Sequence, residues 1–188
     1  TDPLTGLMTR SAAENLIESH RRHGSGKGVL FIVDIDRFKE VNDTYGHDVG
    51  DILLRQISQR LMSMDLNSGT LYRLGGDEFA FLSSGMTEST AVSKAQKICD
   101  SINQPYAIYN TIINITTCVG IVNSATEHRS DYLYKFADLA LYEAKNEGSG
   151  KIKVFRQHML DKLQESRTFE HDMSLALANN EFAVYYQP

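Results

Sequence analysis

Val29 to Val33 form an unbroken apolar run that leads straight into Asp34-Ile35-Asp36. Such a run, closing in acid, predicts a strand over Gly28 to Ile35 that is buried on both faces. A strand covered on both faces needs helices above and below its sheet, so an α/β fold is expected. Open α/β sheets place ligands at the carboxyl ends of their strands. The run therefore delivers Asp34 from the core to the edge where chemistry is expected.

The flanking sequence fills in the layers. Thr9 to His23 predicts a helix, with Ser11 and Glu14 at capping-box spacing, Leu16, Ile17 and His20 on one face, and Gly24-Ser25-Gly26 ending it. Arg37 to Tyr45, Asp48 to Met64 and Glu88 to Asn103 predict further helices. Asp131 to Asn146 carries the cleanest apolar stripe, with Ser130 or Asp131 as its cap and Gly148 as its stop. Strands are expected at Thr70 to Leu74, Phe79 to Leu82, Tyr106 to Tyr109, Ile112 to Val122 and Ile152 to Phe155. Together these imply a mixed central β-sheet of about five strands surrounded by helices. Residues 1–156 are expected to form one domain and 157–180 a helical linker. Residues 181–188 read as the first strand of a further domain.

The heptapeptide Arg73-Leu74-Gly75-Gly76-Asp77-Glu78-Phe79 joins two of those strands. Gly-Gly between strands suits a hairpin turn that needs positive φ. Such a turn holds Asp77 and Glu78 on a rigid exposed tip, as oxygen ligands for a hard cation such as Mg²⁺. An ordinary solvated turn is the plain alternative, and Asp34 at a neighbouring strand end favours the metal. Asp36 is expected to cap the helix that starts near Arg37.

Lys39, one helical turn past the strand end, is placed either to meet a phosphate or simply to be solvated. The backbone N–H groups of Arg37 and Phe38 are free in that first turn. Asn42 and Asp51 carry the donors and acceptors that distinguish guanine from adenine. Read from the residues alone, they better suit the end of one helix and the first turn of the next. Lys145 complements the carboxyl end of its helix.

A net charge of −5 disfavours a nucleic-acid groove, which needs a basic face. It does not disfavour a nucleotide whose phosphates a cation neutralises. The two cysteines, Cys99 and Cys118, lack metal-ligand spacing and read as small core residues in a reducing, cytoplasmic setting. The longest apolar stretch is far too short to span a bilayer, and no signal peptide is visible. The chain opens on Thr1 and is expected to be part of a longer protein, whose other parts are free to include a membrane anchor.

Five ordered blocks of this sequence resemble the GGDEF family of diguanylate cyclases: Asp2-Pro3-Leu4-Thr5-Gly6-Leu7, Asp34 to Lys39 with Asn42-Asp43, Gly46 to Asp51, Arg73 to Phe79, and Ala137 to Lys145. The last eight residues, Glu181 to Pro188, resemble the opening strand of an EAL domain, the cyclic di-GMP phosphodiesterase. The resemblance implies a nucleotidyl-cyclase-like fold, a homodimer with facing active sites, and condensation of two GTP into cyclic di-GMP in bacterial signalling. It implies Mg²⁺ or Mn²⁺, two per site, on Asp34, the carbonyl of Ile35, Asp77 and Glu78. It further implies Asp77, Glu78 and Lys39 as catalytic residues, with Asn42, Asp51, Phe38 and Lys145 binding substrate. The alternative it leaves is a GTP-binding module that regulates an adjacent EAL domain without turnover. Two departures stand out. Ser149 occupies a place where the family usually has arginine, and Leu66-Asn67-Ser68-Gly69 replaces the family's product-inhibition motif.

Overall fold

The computed structural model of the protein describes residues 1–15, 28–64, 69–123 and 130–179. These fall in two compact units, Thr1–Phe155 and Arg156–Pro188. The first unit is built on a six-stranded sheet in the order β1-β3-β4-β2-β7-β8. Its strands are β1 (Met8–Thr9), β2 (Gly28–Ile35), β3 (Thr70–Gly75), β4 (Glu78–Ser84), β7 (Thr117–Asn123) and β8 (Ile152–Val154). β1–β3 and β7–β8 are parallel and the other pairings antiparallel, so the sheet is mixed, as expected. A separate ribbon pairs β5 (Tyr106–Ile108) with β6 (Thr111–Ile113). The first unit's helices are α1 (residues 10–15), α2 (Phe38–Tyr45), α3 (His47–Ser63), α4 (Glu88–Ile102) and α5 (Ser130–Asn146). The second unit carries α6 (Gln157–Ala178).

β2 sits at the centre, and its alternation decides the layers. Val29, Phe31, Val33 and Ile35 join the cluster made by Leu53, Ile57 and Leu61 of α3 and Ala91, Ala95 and Ile98 of α4. Leu30 and Ile32 point the other way and are equally buried, on the side where α5 lies across β7 and β2. Each such side chain contributes roughly 1.5–3 kcal/mol of burial. That is ample to carry one acid, Asp34, at the end of the same strand. Gly120 of β7 lets α5 settle directly on the sheet: a Cβ there would stand 2.2 Å from the Ala137 carbonyl and 2.5 Å from the Leu141 nitrogen.

Several expectations need correction. Met8 and Thr9 form a short strand beside β3, and helix α1 begins at residue 10, so Ser11 lies inside it. Glu14 pairs instead with Arg10 at 2.9 Å. The remainder of that helix, the Leu66–Ser68 segment and the strand expected over residues 181–188 lie outside the described residues. The apolar run from Ile112 to Val122 is two strands, because residues 111–113 pair locally with β5 while β7 crosses to β2. Cys99 and Cys118 are both buried free thiols. Among the described residues no helix is long and apolar enough to cross a membrane.

Candidate active site

The hairpin tip lies one residue later than the Gly-Gly pair suggested. β3 runs through Gly75 and β4 starts at Glu78, so Gly76 and Asp77 form the turn. Gly75 (φ 149°) and Gly76 (φ 51°) adopt conformations that side chains resist. The register slips between Arg73 and Gly75, leaving Leu74 as a bulge that bends the tip. Arg73 then clamps the turn. Its Nε and Nη2 donate to the Gly76 carbonyl at 3.1 and 2.5 Å, and its Nη1 reaches Asp2 Oδ1 at 3.0 Å. The same Asp2 oxygen accepts from the Thr5 amide and hydroxyl, so the amino-terminal turn is stitched to the hairpin.

Asp34 and Glu78 are partners across the β2–β4 ladder and therefore share the α5 face of the sheet. Asp34 is only 5 % exposed, and its Oδ2 lies 2.7 Å from Lys145 Nζ at the last turn of α5. Burial pushes the Asp34 carboxyl above the usual carboxylate range, in spite of Lys145, and Asp77 and Asp36 push the same way. Burial also raises Glu78, followed by the charges of Asp34 and Asp138. For Lys145, burial alone would lower the ammonium, but the hydrogen bond and charge of Asp34, with Asp77 and Glu78, raise it. The site is a cluster of carboxylates served by one lysine.

That donor set is all oxygen and carries excess negative charge, which fits a hard divalent cation. Ile35 is 1 % exposed, with its side chain in the core, so it has only a carbonyl to offer. Asp34 is turned onto Lys145, and among the described residues no three His, Cys, Asp or Glu side chains converge as a ready cage. A cation at Asp34 would compete with Lys145 for the same oxygen.

α2 and α3 form a separate bank. α2 starts at Phe38, which is buried, after Arg37 in a left-handed conformation with φ 58° and no side-chain cap. Asp36 is therefore not the cap that was expected. Its Oδ2 instead accepts from the Thr116 hydroxyl at 2.6 Å and the Gly150 amide at 2.9 Å. Lys39 is exposed and forms no ion pair with a described residue. The Asn42 carbonyl accepts from Gly46 and ends α2, while its Oδ1 is buried without a partner. Asn42 lies against Gly50, where a Cβ would stand 1.9 Å from Oδ1. Asp51 follows in α3, half-buried. Thus the structure joins Asp34, Glu78 and Lys145 at one sheet edge, with Asp77 on the tip, and packs Asn42 against Gly50 next to Asp51.

Four features around the site escaped sequence reasoning: the Asp2–Arg73 pair, the hold of Asp36 on Thr116 and Gly150, the packing at Gly50, and the charge of Asp138 near Glu78. Gly50 carried a readable signal, since a glycine inside a helix often marks close approach. The others depend on partners far away in the chain.

The family model for the diguanylate cyclase GGDEF domain matches residues 1–151. The chain is 36 % identical over its whole length to the cyclic di-GMP phosphodiesterase PdeR of Escherichia coli K12, and 34 % identical to the bifunctional diguanylate cyclase/cyclic di-GMP phosphodiesterase MucR of Pseudomonas aeruginosa. It spans 29 % and 28 % of those proteins. Among solved structures, the diguanylate cyclase SiaD of Pseudomonas aeruginosa, in complex with its activator SiaC, superposes with a TM-score of 0.77 at 29 % identity. That match covers 81 % of this chain and 60 % of SiaD.

Proposed function

Because the chain belongs to the GGDEF family of diguanylate cyclase domains, we propose that it binds GTP and, as a homodimer with facing sites, condenses two GTP into cyclic di-GMP. The observation that carries this reading is the buried Asp34, paired in register with Glu78 beside the Asp77 tip and held by Lys145. Asp34, the Ile35 carbonyl, Asp77 and Glu78 would hold Mg²⁺ or Mn²⁺, two per site, which neutralises phosphate charge and acidifies the attacking hydroxyl when bound.

The chain's own residues supply positioning and proton transfer. Asn42 and Asp51 select guanine, and the buried, unpartnered Asn42 Oδ1 would turn out from Gly50 to accept from a ring N–H or amino group. Backbone amides near Phe38 and the Lys39 ammonium meet the phosphates. Lys145 leaves Asp34 for the terminal phosphates. The 3′-oxygen of one GTP attacks the α-phosphorus of the other. Its proton passes to Asp77, the α–β bridging bond breaks, and pyrophosphate departs. Glu78 would help to hold the second cation, and Lys39 neutralises charge in the transition state.

A second reading is GTP binding without turnover, regulating an adjacent EAL domain. Ser149, whose side chain offers no cation, and the similarity of this whole chain to 29 % of a phosphodiesterase favour it. Incubation of the dimeric protein with GTP and Mg²⁺, followed by mass spectrometry, separates the two. Cyclic di-GMP is expected. GTP binding without product would leave the regulatory reading, and no GTP binding would end both. The protein is proposed to act in the cytoplasm, next to an EAL domain of the same longer protein.

A further inference from the structure

Asp36 stands one residue past the end of β2 and is held on its backbone and its side chain. Its N–H donates to the Thr116 carbonyl at 2.9 Å, and its Oδ2 accepts from the Thr116 hydroxyl at 2.6 Å and the Gly150 N–H at 2.9 Å. An acid at a helix start would ordinarily cap that helix, yet here α2 begins with no side-chain cap. The carboxylate is committed instead to residues 80 and 114 positions further along the chain.

Among the described residues, few other hydrogen bonds hold the segment it grips. Gly148 (φ 116°), Ser149 and Gly150 (φ 72°) follow α5 directly, and two glycines in such conformations leave the backbone soft. Besides the Asp36 bond, the loop is anchored by Gly148 N–H donating to the Lys145 carbonyl at 3.1 Å, by the Cys118 thiol, 3.4 Å from the Gly148 carbonyl, and by Val119 N–H donating to the Lys151 carbonyl at 2.9 Å. An open cavity of about 610 Å³ borders Asp36, Thr116 and Ser149, so water stands ready to replace any bond that loosens.

The clasp joins two segments that also meet at the site. One is the β2 end, with Asp34 and Ile35. The other is the α5 end, with Lys145, whose ammonium spans the same gap to Asp34 at 2.7 Å. We propose that Asp36 is a positioning residue for nucleotide binding. With Thr116 it fixes the distance between the Asp34 strand end and Lys145, and so sets the grip on the phosphates beyond the first. This role rests on the guanine-nucleotide reading above. It predicts a loss for nucleotides with more than one phosphate, because GMP carries nothing for Lys145 to hold.

The test is calorimetry of GMP, GDP and GTP with Mg²⁺ on the wild-type protein and on Asp36→Asn, Thr116→Val and Thr116→Ser. Weakening one charge-assisted bond should lower GDP and GTP affinity about tenfold in Asp36→Asn and Thr116→Val, and GMP affinity less than about twofold. Thr116→Ser keeps the hydroxyl and should bind like the wild type. Without nucleotide, the Gly150 amide should exchange its hydrogen faster in the first two variants, with thermal melting showing that they remain folded. If Asp36→Asn does not fold, Thr116→Val carries the test alone. Equal losses for all three nucleotides, or unchanged affinities, would overturn the positioning role while leaving the nucleotide reading intact. A wild-type protein that binds none of the three would overturn both.

Discussion

Lys145 Nζ lies 2.7 Å from Asp34 Oδ2, tying the last turn of α5 to the end of the central strand. The lysine side chain is 42 % exposed and the aspartate side chain 8 %, so the pair is half-wet. Such a pair falls between surface ion pairs and fully buried ones. Lys145→Met should therefore cost about 1–2 kcal/mol in urea unfolding near neutral pH. It should also weaken GTP binding by about tenfold or more. A stability loss with GTP affinity unchanged would confine Lys145 to a structural role.

The Asp2–Arg73 clamp should give the protein an acid-sensitive component. Burial works to raise the Asp2 carboxyl, but hydrogen bonds from Thr5 and Arg73, with the arginine's charge, hold it below its usual value of 3.8. A carboxyl lowered on folding adds stability that is present above its unfolded value and is lost as pH falls through the folded one. Urea midpoints followed from about pH 5 down to about pH 2.5 should fall more steeply for the wild type than for Asp2→Asn. Near neutral pH the variant should cost about 0.5–1 kcal/mol. Parallel curves would refute the contribution of Asp2.

Gly50 has no room for a side chain, because Asn42 Oδ1 occupies the place a Cβ would take. Gly50→Ala forces Asn42 aside and should cost about 1–3 kcal/mol, as overpacking does. In an Asn42→Ala background the same change should cost less than about 1 kcal/mol. Under the proposed function, Gly50→Ala should also blunt the preference for GTP over ATP. Additive losses in the double variant would show that the two residues are not coupled.

Both thiols should be inert in the folded protein. Burial pushes Cys118 up to about 11 and raises Cys99 as well. At about pH 8, thiolate at Cys118 is about one part in a thousand. A thiol reagent should label neither cysteine within minutes under native conditions and both in urea. Rapid native labelling would contradict the packing of β7 and α4.

The parts of the fold that were legible are those whose signal is local and repeated. The apolar run of β2, the stripe of α5 and the acidic hairpin all declared themselves. β1 did not, because two residues carry no periodicity, and Met8 and Thr9 become a strand only by lying beside Tyr72 and Arg73. The split between β6 and β7 was hidden because both are apolar, and only their pairing partners separate them. Asp36 was read as a cap from its position before a helix. Its true partners, Thr116 and Gly150, become neighbours only once the sheet is assembled. Asp34, by contrast, needed no distant information: a strand long enough to be central must deliver its next residue to the rim.

Gly120 gives this arrangement a mechanical meaning. With the Ala137–Leu141 backbone seated on a residue that has no side chain, α5 is bolted near its middle and cannot slide along the sheet without lifting off it. Its far end is held separately, by Lys145 on Asp34 and, just past the helix, by the Cys118 thiol on the Gly148 carbonyl. A ligand that drew Lys145 from Asp34 would act on that end alone while the middle of the beam stays seated.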